Sequence, residues 1–276
     1  GTPLAAGCGD TAAGALGAGI VHPGMLFDVA GTAAVLASCS GSFLADAQHR
    51  ALLTMRSVIP GLWHPLAYIA GGGLALRWYR DTFYNTSRGQ PLPPDPVLYD
   101  EMCAAVGAAA PGSEGLLFSP HLGGRICPAL PELRGAWGGF SWGHTQAHVF
   151  RAILESVALE YAFYLAIMRQ QLPELQLSQA RVIGGGAPSL VWNQIKASVL
   201  NVPYQRLQRA EFGAWGAAMI AGKAAGIFND LASVADEHAR REGEQVLPDP
   251  AQSAVYAALF DKYMALQEVL AEVYKG

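Results

Sequence analysis

The stretch Arg181-Val-Ile-Gly-Gly-Gly-Ala-Pro-Ser-Leu-Val-Trp-Asn-Gln194 indicates how the chain folds. Val182 and Ile183 are β-branched and predict the end of a buried strand. The glycines at 184–186 predict a tight turn, and Ser189 stands where a helix N-cap is expected. A turn without Cβ atoms lets a ligand approach the backbone, and the next helix would point unpaired N–H groups and its dipole at that ligand. A purely structural turn explains the motif as well, and on this motif alone it is the favoured interpretation.

Composition limits the classes of protein to which the chain can belong. The 276 residues are 51% hydrophobic and 14% charged, with a net charge of −4. This balance predicts a well-packed body, one face of which covers something else. Nucleic-acid binding is disfavoured because the charge is negative and no Lys/Arg block is present. The length allows one large domain or two ordinary ones, and the pattern shows no clean boundary.

Cysteine spacing and hydropathy indicate the compartment. The four cysteines stand far apart without a CxxC pair, as is typical of reduced core residues in the cytosol. The longest apolar run, residues 12–21, is too short to span a bilayer, and no basic-then-apolar leader opens the chain. We therefore expect a cytoplasmic protein that binds neither membranes nor nucleic acid. Residues 1–6 are interpreted as a segment that leads into a strand, so we expect the chain to begin inside a longer protein.

Hydrophobic periodicity predicts an α/β domain with a mixed sheet. Strands are predicted at residues 4–8, 25–30, 33–38, 52–59, 66–70, 115–120, 181–184 and 204–207. Helices are predicted at residues 12–20, 74–83, 97–110, 145–172, 189–200, 214–225 and 252–274. The proline-rich segment 91–96 is interpreted as a surface connector rather than a linker between domains.

Further features are candidates for a ligand site. Asp10 stands at a predicted strand-to-helix corner, where it is either an N-cap or an acid at the mouth of a cleft. A second glycine triplet, at 71–73, follows a strand. Two such turns facing one cleft would be less readily explained as purely structural turns than one. The link Gly31-Thr32 predicts a hairpin that either holds a phosphate or is a plain turn. The HTQAH segment at 144–148 offers two histidines but no third ligand, so helix-start histidines are favoured over a metal site.

Taken together, these stretches resemble the C-terminal domain of the FGGY family of carbohydrate kinases over essentially the whole chain. The segments that carry the resemblance are GDTAAGALG at 9–17, DVAGTA at 28–33, AGGG at 70–73 with LRW at 76–78, FSPHLGGR at 118–125, Arg134-Gly135, Arg151-Ala152 with Glu155, GGGAPS at 184–189 with Trp192 and Gln194, and GAWGAAM at 213–219. The resemblance implies an α/β actin-like ATPase (ribonuclease-H-like) domain with a mixed sheet flanked by helices. It makes residues 1–276 the nucleotide-binding domain. The family's N-terminal domain, which carries most sugar contacts, has no counterpart here.

The resemblance also implies roles for individual residues. Asp10 matches the aspartate that acts as general base on the sugar hydroxyl, a role that suits a carboxylate in phosphoryl transfer. The implied nucleotide contacts are Gly31, Thr32, Gly73, Arg77, Gly185, Gly186, Ala187 and Leu190. Two of them depart from the glycerol-kinase branch, which has Gln in place of Arg77 and Asn in place of Leu190. Leu190 cannot make the hydrogen bond of that Asn, so its role would be packing.

ATP and Mg²⁺ are the cofactors that the resemblance implies. We predict no direct protein ligand for the metal; Asp10 would act on it through water. Arg125, Arg134 and Glu155 match family positions for which salt-bridged structural support is the favoured interpretation.

The leading hypothesis is ATP-dependent phosphorylation of a sugar or polyol hydroxyl. A ketopentose such as xylulose is the best guess, because the glycine motifs are more similar to the xylulose and gluconate branches than to glycerol kinase. The chain is expected to be inactive without its own N-terminal domain, and a homodimer stays open. The second hypothesis is a non-catalytic actin-like module that binds nucleotide, senses sugar or binds a partner; Asp10 favours the enzyme. A third is an unrelated α/β domain with purely structural glycine turns.

Overall fold

The computed structural model describes residues 1–84, 95–208, 211–240 and 243–275. The strands are β1 (Met25–Ala30), β2 (Ala34–Ser38), β3 (Leu53–Arg56), β4 (Trp63–Ile69), β5 (Leu117–Ser119), β6 (Ala136–Gly138), β7 (Gln179–Ile183), β8 (Tyr204–Arg206) and β9 (Gln245–Val246). The helices are α1 (Asp10–Gly17), α2 (Gly72–Tyr79), α3 (Asp95–Val106), α4 (Gln146–Gln171), α5 (Leu190–Leu200), α6 (Phe212–Ala224), α7 (Leu231–Arg240) and α8 (Pro250–Val273). A π-helical turn (Arg80–Tyr84) extends α2, and a 3₁₀ turn (Ser113–Gly115) precedes β5.

The described strands form a mixed sheet in the order β3-β4-β2-β1-β7-β8-β9, with β5 and β6 as a separate pair. β1 is parallel to β7 and β7 is parallel to β8, whereas the other neighbours are antiparallel. The mixed sheet flanked by helices confirms the predicted fold class. Val29 of β1 is in register with Ile183 of β7. The turns that follow these two strands therefore begin side by side at one edge of the sheet.

Side chains of the central strand β1 alternate between two helical layers, as the period of a strand requires. Leu26 and Ala30 pack in the larger core with α2, α4 and α5. Met25 and Phe27 face the other way and pack against residues of α1, α6 and α7. The sheet therefore separates a layer that contains α4 and α5 from a layer that contains α1 and α6.

The longest helix, α4, follows its prediction closely. It begins after Thr145 in a capping box with His148 and ends before Pro173. Thr145 N–H donates to Nδ1 of His148 over 3.1 Å, which satisfies an amide at the helix start. No group of three or more His, Cys, Asp and Glu residues that could hold a metal ion lies within the described part of the chain. His148 is a helix-start residue, as predicted.

Some sequence-based boundaries are wrong. Residues 4–8 form no strand; they are exposed and irregular, because small Ala and Gly side chains offer a strand little to bury. The strand expected at 52–59 is shorter in the structure, where β3 covers only Leu53–Arg56 and its side chains are only partly buried. The helix α7 and the two-residue strand β9 were not predicted. The first part of the connector at 91–96 lies outside the described residues, and α3 begins at Asp95.

Among the described residues, no helix has both the length and the apolar character needed to cross a membrane.

Candidate functional site

A pocket of about 370 Å³ opens where β1 and β7 end. Six residues that the sequence nominated line it: Gly31, Thr32, Gly73, Arg77, Gly185 and Gly186. Its apolar wall comes from α2, α3, α4 and α5, through Leu76, Tyr99, Phe150, Leu154 and Trp192. The two glycine triplets, far apart in sequence, therefore face one cleft. We call this cavity the β1–β7 pocket.

The turn after β7 is built from glycines with different roles. Gly184 has a φ of +91°, a left-handed conformation that favours glycine. The N–H of Gly186 donates to the carbonyl of Ala30 over 2.8 Å, which ties the turn to the end of β1. A Cβ at position 186 would collide with the ring of Trp192, whereas a Cβ at Gly185 would meet open space. Gly184 and Gly186 are therefore required by the fold, and Gly185 is the member of the triplet with room for a ligand.

The second triplet is likewise explained by close backbone packing. The N–H of Gly73 donates to the carbonyl of Gly31 over 3.0 Å, and the N–H of Leu74 donates to the carbonyl of Thr32 over the same distance. A Cβ at Gly73 would collide with the carbonyl of Gly31. The first amides of α2 therefore hold the β1–β2 hairpin, and the contribution of Gly73 to the pocket is to bring that hairpin and Arg77 close together.

Helix α5 starts at the pocket with an ordinary cap. The Ser189 hydroxyl accepts from the N–H of Trp192 over 3.3 Å and lies 3.4 Å from Sγ of Cys103. Burial raises the pKa of the Cys103 thiol, so this cysteine is an apolar wall residue rather than a nucleophile. Sequence reasoning missed Cys103 and Tyr99, because nothing in the pattern showed which face of α3 meets the pocket.

Two nominated residues lie outside the pocket lining. The carbonyl of Ala187 accepts from Nδ2 of the buried Asn193 over 2.9 Å, so this residue supports the turn from behind. Leu190 is about half exposed, on the first turn of α5. Its predicted packing role toward a nucleotide stays a prediction.

Asp10 is the first residue of α1, with Gly9 as N-cap. Its side chain is exposed, and Oδ1 accepts from the N–H of Thr11 over 2.7 Å. Ala15 of α1 shares a core with Met25 and Phe27 of β1, so Asp10 starts a helix in the layer opposite the pocket and is not part of the pocket lining.

The buried ion pairs Arg151–Glu155 and Arg125–Glu160 involve α4, and none of these four residues lines the pocket. Nε of Arg151 lies 2.6 Å from Oε1 of Glu155, and Nη2 of Arg125 lies 2.6 Å from Oε1 of Glu160. These pairs agree with the structural-support interpretation of Arg125 and Glu155. Arg134 instead donates to backbone carbonyls close by in sequence.

Comparison with solved structures defines the class of the fold. A xylulose kinase from Rhodospirillum rubrum superimposes with a TM-score of 0.83 at 30% identity, covering 97% of this chain and 51% of that one. The fold is therefore that of an actin-like ATPase domain, and the pocket lies at the edge of its central sheet.

The model of the FGGY family of carbohydrate kinases, C-terminal domain, matches residues 29–225. The chain belongs to this family. It is 28% identical over 262 residues to a xylulose kinase of Staphylococcus epidermidis, covering 95% of this chain and 50% of that protein. It is also 28% identical over 269 residues to a xylulose kinase of Lactococcus lactis, covering 97% of this chain and 51% of that protein. The chain thus spans about half the length of these curated relatives.

Proposed function

We propose that the chain is the C-terminal, nucleotide-binding domain of an ATP-dependent sugar or polyol kinase and that the β1–β7 pocket holds ATP. One observation carries the proposal. Two glycine turns from distant parts of the sequence and the Gly31-Thr32 hairpin line a single pocket at the edge where parallel strands β1 and β7 end. Ligands of open α/β sheets bind at such an edge, where a backbone without side chains can approach phosphates closely.

The lining residues divide into a polar and an apolar part that suit the two ends of a nucleotide. Thr32 and the backbone around Gly31 would contact the terminal phosphates, and the guanidinium of Arg77 offers positive charge beside them. Trp192, Phe150 and Leu154 offer a flat apolar wall beside Gly185 for the adenosine.

Phosphoryl transfer requires a base near the acceptor hydroxyl and neutralisation of the phosphate charge. Asp10 would accept the proton of the sugar hydroxyl, from the layer opposite the pocket. Mg²⁺ would be held mainly by the phosphates of ATP and by waters, because it keeps several waters and commonly relies on substrate phosphates and few carboxylates.

The partner in this proposal is a sugar-binding half, for which there is room in the relatives because this chain covers 50% and 51% of their length. Asp10 on its exposed helix start would then face the sugar across the cleft between the two halves. Xylulose is the proposed substrate because relatives that match 95% and 97% of this chain, and a solved structure that matches 97%, are named xylulose kinases. A homodimer stays a prediction.

Calorimetric titration of the 276-residue chain with MgATP tests the pocket directly. We expect one site per chain, and a coupled assay should show phosphorylation of xylulose only when the sugar-binding half is joined to the chain. Failure of the chain to bind MgATP would contradict the proposed pocket. Binding without turnover on any sugar by the joined protein would favour the non-catalytic module.

Substitution of Gly185 separates ligand contact from fold. Gly185→Val places a branched side chain in open space at the pocket wall, so the melting temperature should hold while MgATP affinity falls by about tenfold or more, equivalent to about 1.4 kcal/mol. Gly186→Val is the matched control. Its side chain would collide with Trp192, so thermal unfolding should show a loss of stability of about 1–3 kcal/mol. An unchanged ATP affinity in Gly185→Val would show that the triplet is only a turn.

A further inference from the structure

A buried ion pair lies beside the wall of the β1–β7 pocket. Nζ of Lys196 and Oδ2 of Asp28 are 2.6 Å apart, and both side chains are fully buried. Lys196 stands one turn after Trp192 on α5, with Nζ 3.9 Å from the centroid of the Trp192 ring. An ammonium group at this distance from an indole face is attracted by its π electrons, most strongly when water is excluded.

The Trp192 ring is fixed on its other sides by residues that also line the pocket. Its Nε1 donates to the carbonyl of Leu154 over 3.1 Å. Its six-membered ring lies against Gly186, so closely that a Cβ there would collide with it. Any displacement of this ring would therefore change the shape of the pocket beside the glycine turn.

Asp28 is itself held by a further element, α4. Its Oδ1 accepts from the Tyr161 hydroxyl of α4 over 2.9 Å. It lies in β1, two residues before Ala30, whose carbonyl accepts from the N–H of Gly186. Asp28 and Lys196 thus join α4, β1 and α5 at the place where the pocket is formed.

A buried ion pair is weak evidence for stability, because replacing both partners with apolar residues is often neutral or stabilising. We propose that the Asp28–Lys196 pair positions the ring of Trp192 and so determines the nucleotide affinity of the pocket. The inference rests on the proposed function of the pocket. Lys196 and Asp28 are positioning residues in it, since they act through Trp192.

The test is a triple variant, Asp28→Leu with Tyr161→Phe and Lys196→Met, which removes both charges and the Tyr161 hydroxyl. We expect a melting temperature equal to or above that of the unmodified chain, with MgATP affinity reduced about tenfold. Incorporated 5-fluorotryptophan gives a second readout by ¹⁹F NMR. The Trp192 resonance, assigned with Trp192→Phe, should shift or broaden in the triple variant and should respond to MgATP in the unmodified chain.

Arg125→Met with Glu160→Gln is the control, because the contacts of this buried ion pair in the described part of the chain, with His121, Phe163 and Tyr263, include no residue of the pocket lining. It should leave the affinity for MgATP unchanged. If the triple variant does not fold, Asp28→Asn replaces it. This substitution keeps the size of the side chain and an acceptor for the Tyr161 hydroxyl but removes the negative charge, so we expect MgATP to bind about threefold more weakly.

The outcomes separate the two proposals. An unmodified chain that binds no MgATP would overturn the function proposed for the pocket. An unmodified chain that binds, together with a triple variant or Asp28→Asn of equal affinity and an unmoved Trp192 resonance, would overturn the positioning role alone.

Discussion

Replacing Asp10 by Asn should reduce phosphoryl transfer by about 10²–10⁴-fold in a protein that joins this chain to its sugar-binding half. The affinity for MgATP should stay the same, because Asp10 is not part of the lining of the β1–β7 pocket. Phosphoryl transfer should fall because the amide of Asn cannot accept the proton of the sugar hydroxyl, although the amide occupies nearly the same volume as the carboxylate. Steady-state kinetics with a coupled assay give kcat, and calorimetry gives the affinity.

The local structure makes Asp10→Asn a clean substitution. The side chain is exposed, and the oxygen that accepts from the N–H of Thr11 is kept in Asn. The matched control is Asp249→Asn at the N-cap of α8, where a carboxylate oxygen accepts from the N–H of Ala251. The control should leave kcat unchanged. Unchanged turnover in Asp10→Asn would remove Asp10 from the mechanism, and a parallel loss of ATP affinity would show that it acts on the nucleotide instead.

The elements that form the site could be predicted because their local signals agree with the final packing. Ser189 after a glycine turn predicted the start of α5, and the hairpin at Gly31-Thr32 was predicted from a short link between two strands. These features depend on residues close together in sequence, so periodicity and turn chemistry were sufficient.

The separate role of each glycine could not be predicted from the sequence. Gly184, Gly185 and Gly186 are equivalent in the motif, but one has a positive φ, one faces open space and one lies against Trp192. The difference depends on Ala30 and Trp192, which reach the turn from β1 and α5. Only the packed structure shows which glycine has room for a ligand.

The pairing of Asp28 with Lys196 was also beyond prediction. Asp28 interrupts an otherwise apolar strand and Lys196 lies 168 residues later, so nothing in the sequence connects them. The missed helix α7 has a different cause. Its amphipathic pattern is present in the sequence, but the helix is short, polar on average and buries only Ala235 and Ala239, so it does not read as part of the core.

Glu160→Gln should lower the free energy of unfolding by about 3–5 kcal/mol, because it leaves the buried Arg125 guanidinium without its charged partner. Glu160 is fully buried on α4, and its Oε2 accepts from the hydroxyl of Tyr263 on α8 over 2.8 Å. Arg125 comes from the irregular segment after β5 and lies over the ring of Phe163, 4.5 Å from its centroid. The carboxylate therefore attaches that segment to two helices.

The pH dependence of this loss follows from the pKa of Glu160. Burial alone would raise the pKa, but the Arg125 charge, with His121 and the Tyr263 hydroxyl, lowers it from 4.5 to about 2. A carboxyl whose pKa is lower in the folded state stabilises that state fully above its unfolded value. The stabilisation is then lost as the pH falls from about 4.5 toward 2. The difference between the unmodified chain and Glu160→Gln should be constant from about pH 6 to 7 and decrease below pH 4.5.

Urea unfolding at pH 7, 5.5, 4 and 3 measures this difference, and Arg125→Met with Glu160→Gln is the informative comparison. Removing both charges should recover much of the stability that Glu160→Gln alone loses, since an uncharged pair leaves no buried charge unpaired. A double variant as unstable as the single one would show that the hydrogen bond to Tyr263, and not the ion pair, stabilises this region. A pH-independent difference would show that Glu160 titrates alike in the folded and unfolded chain. In either case, the arginine would hold the segment after β5 by its packing on Phe163 rather than by its charge.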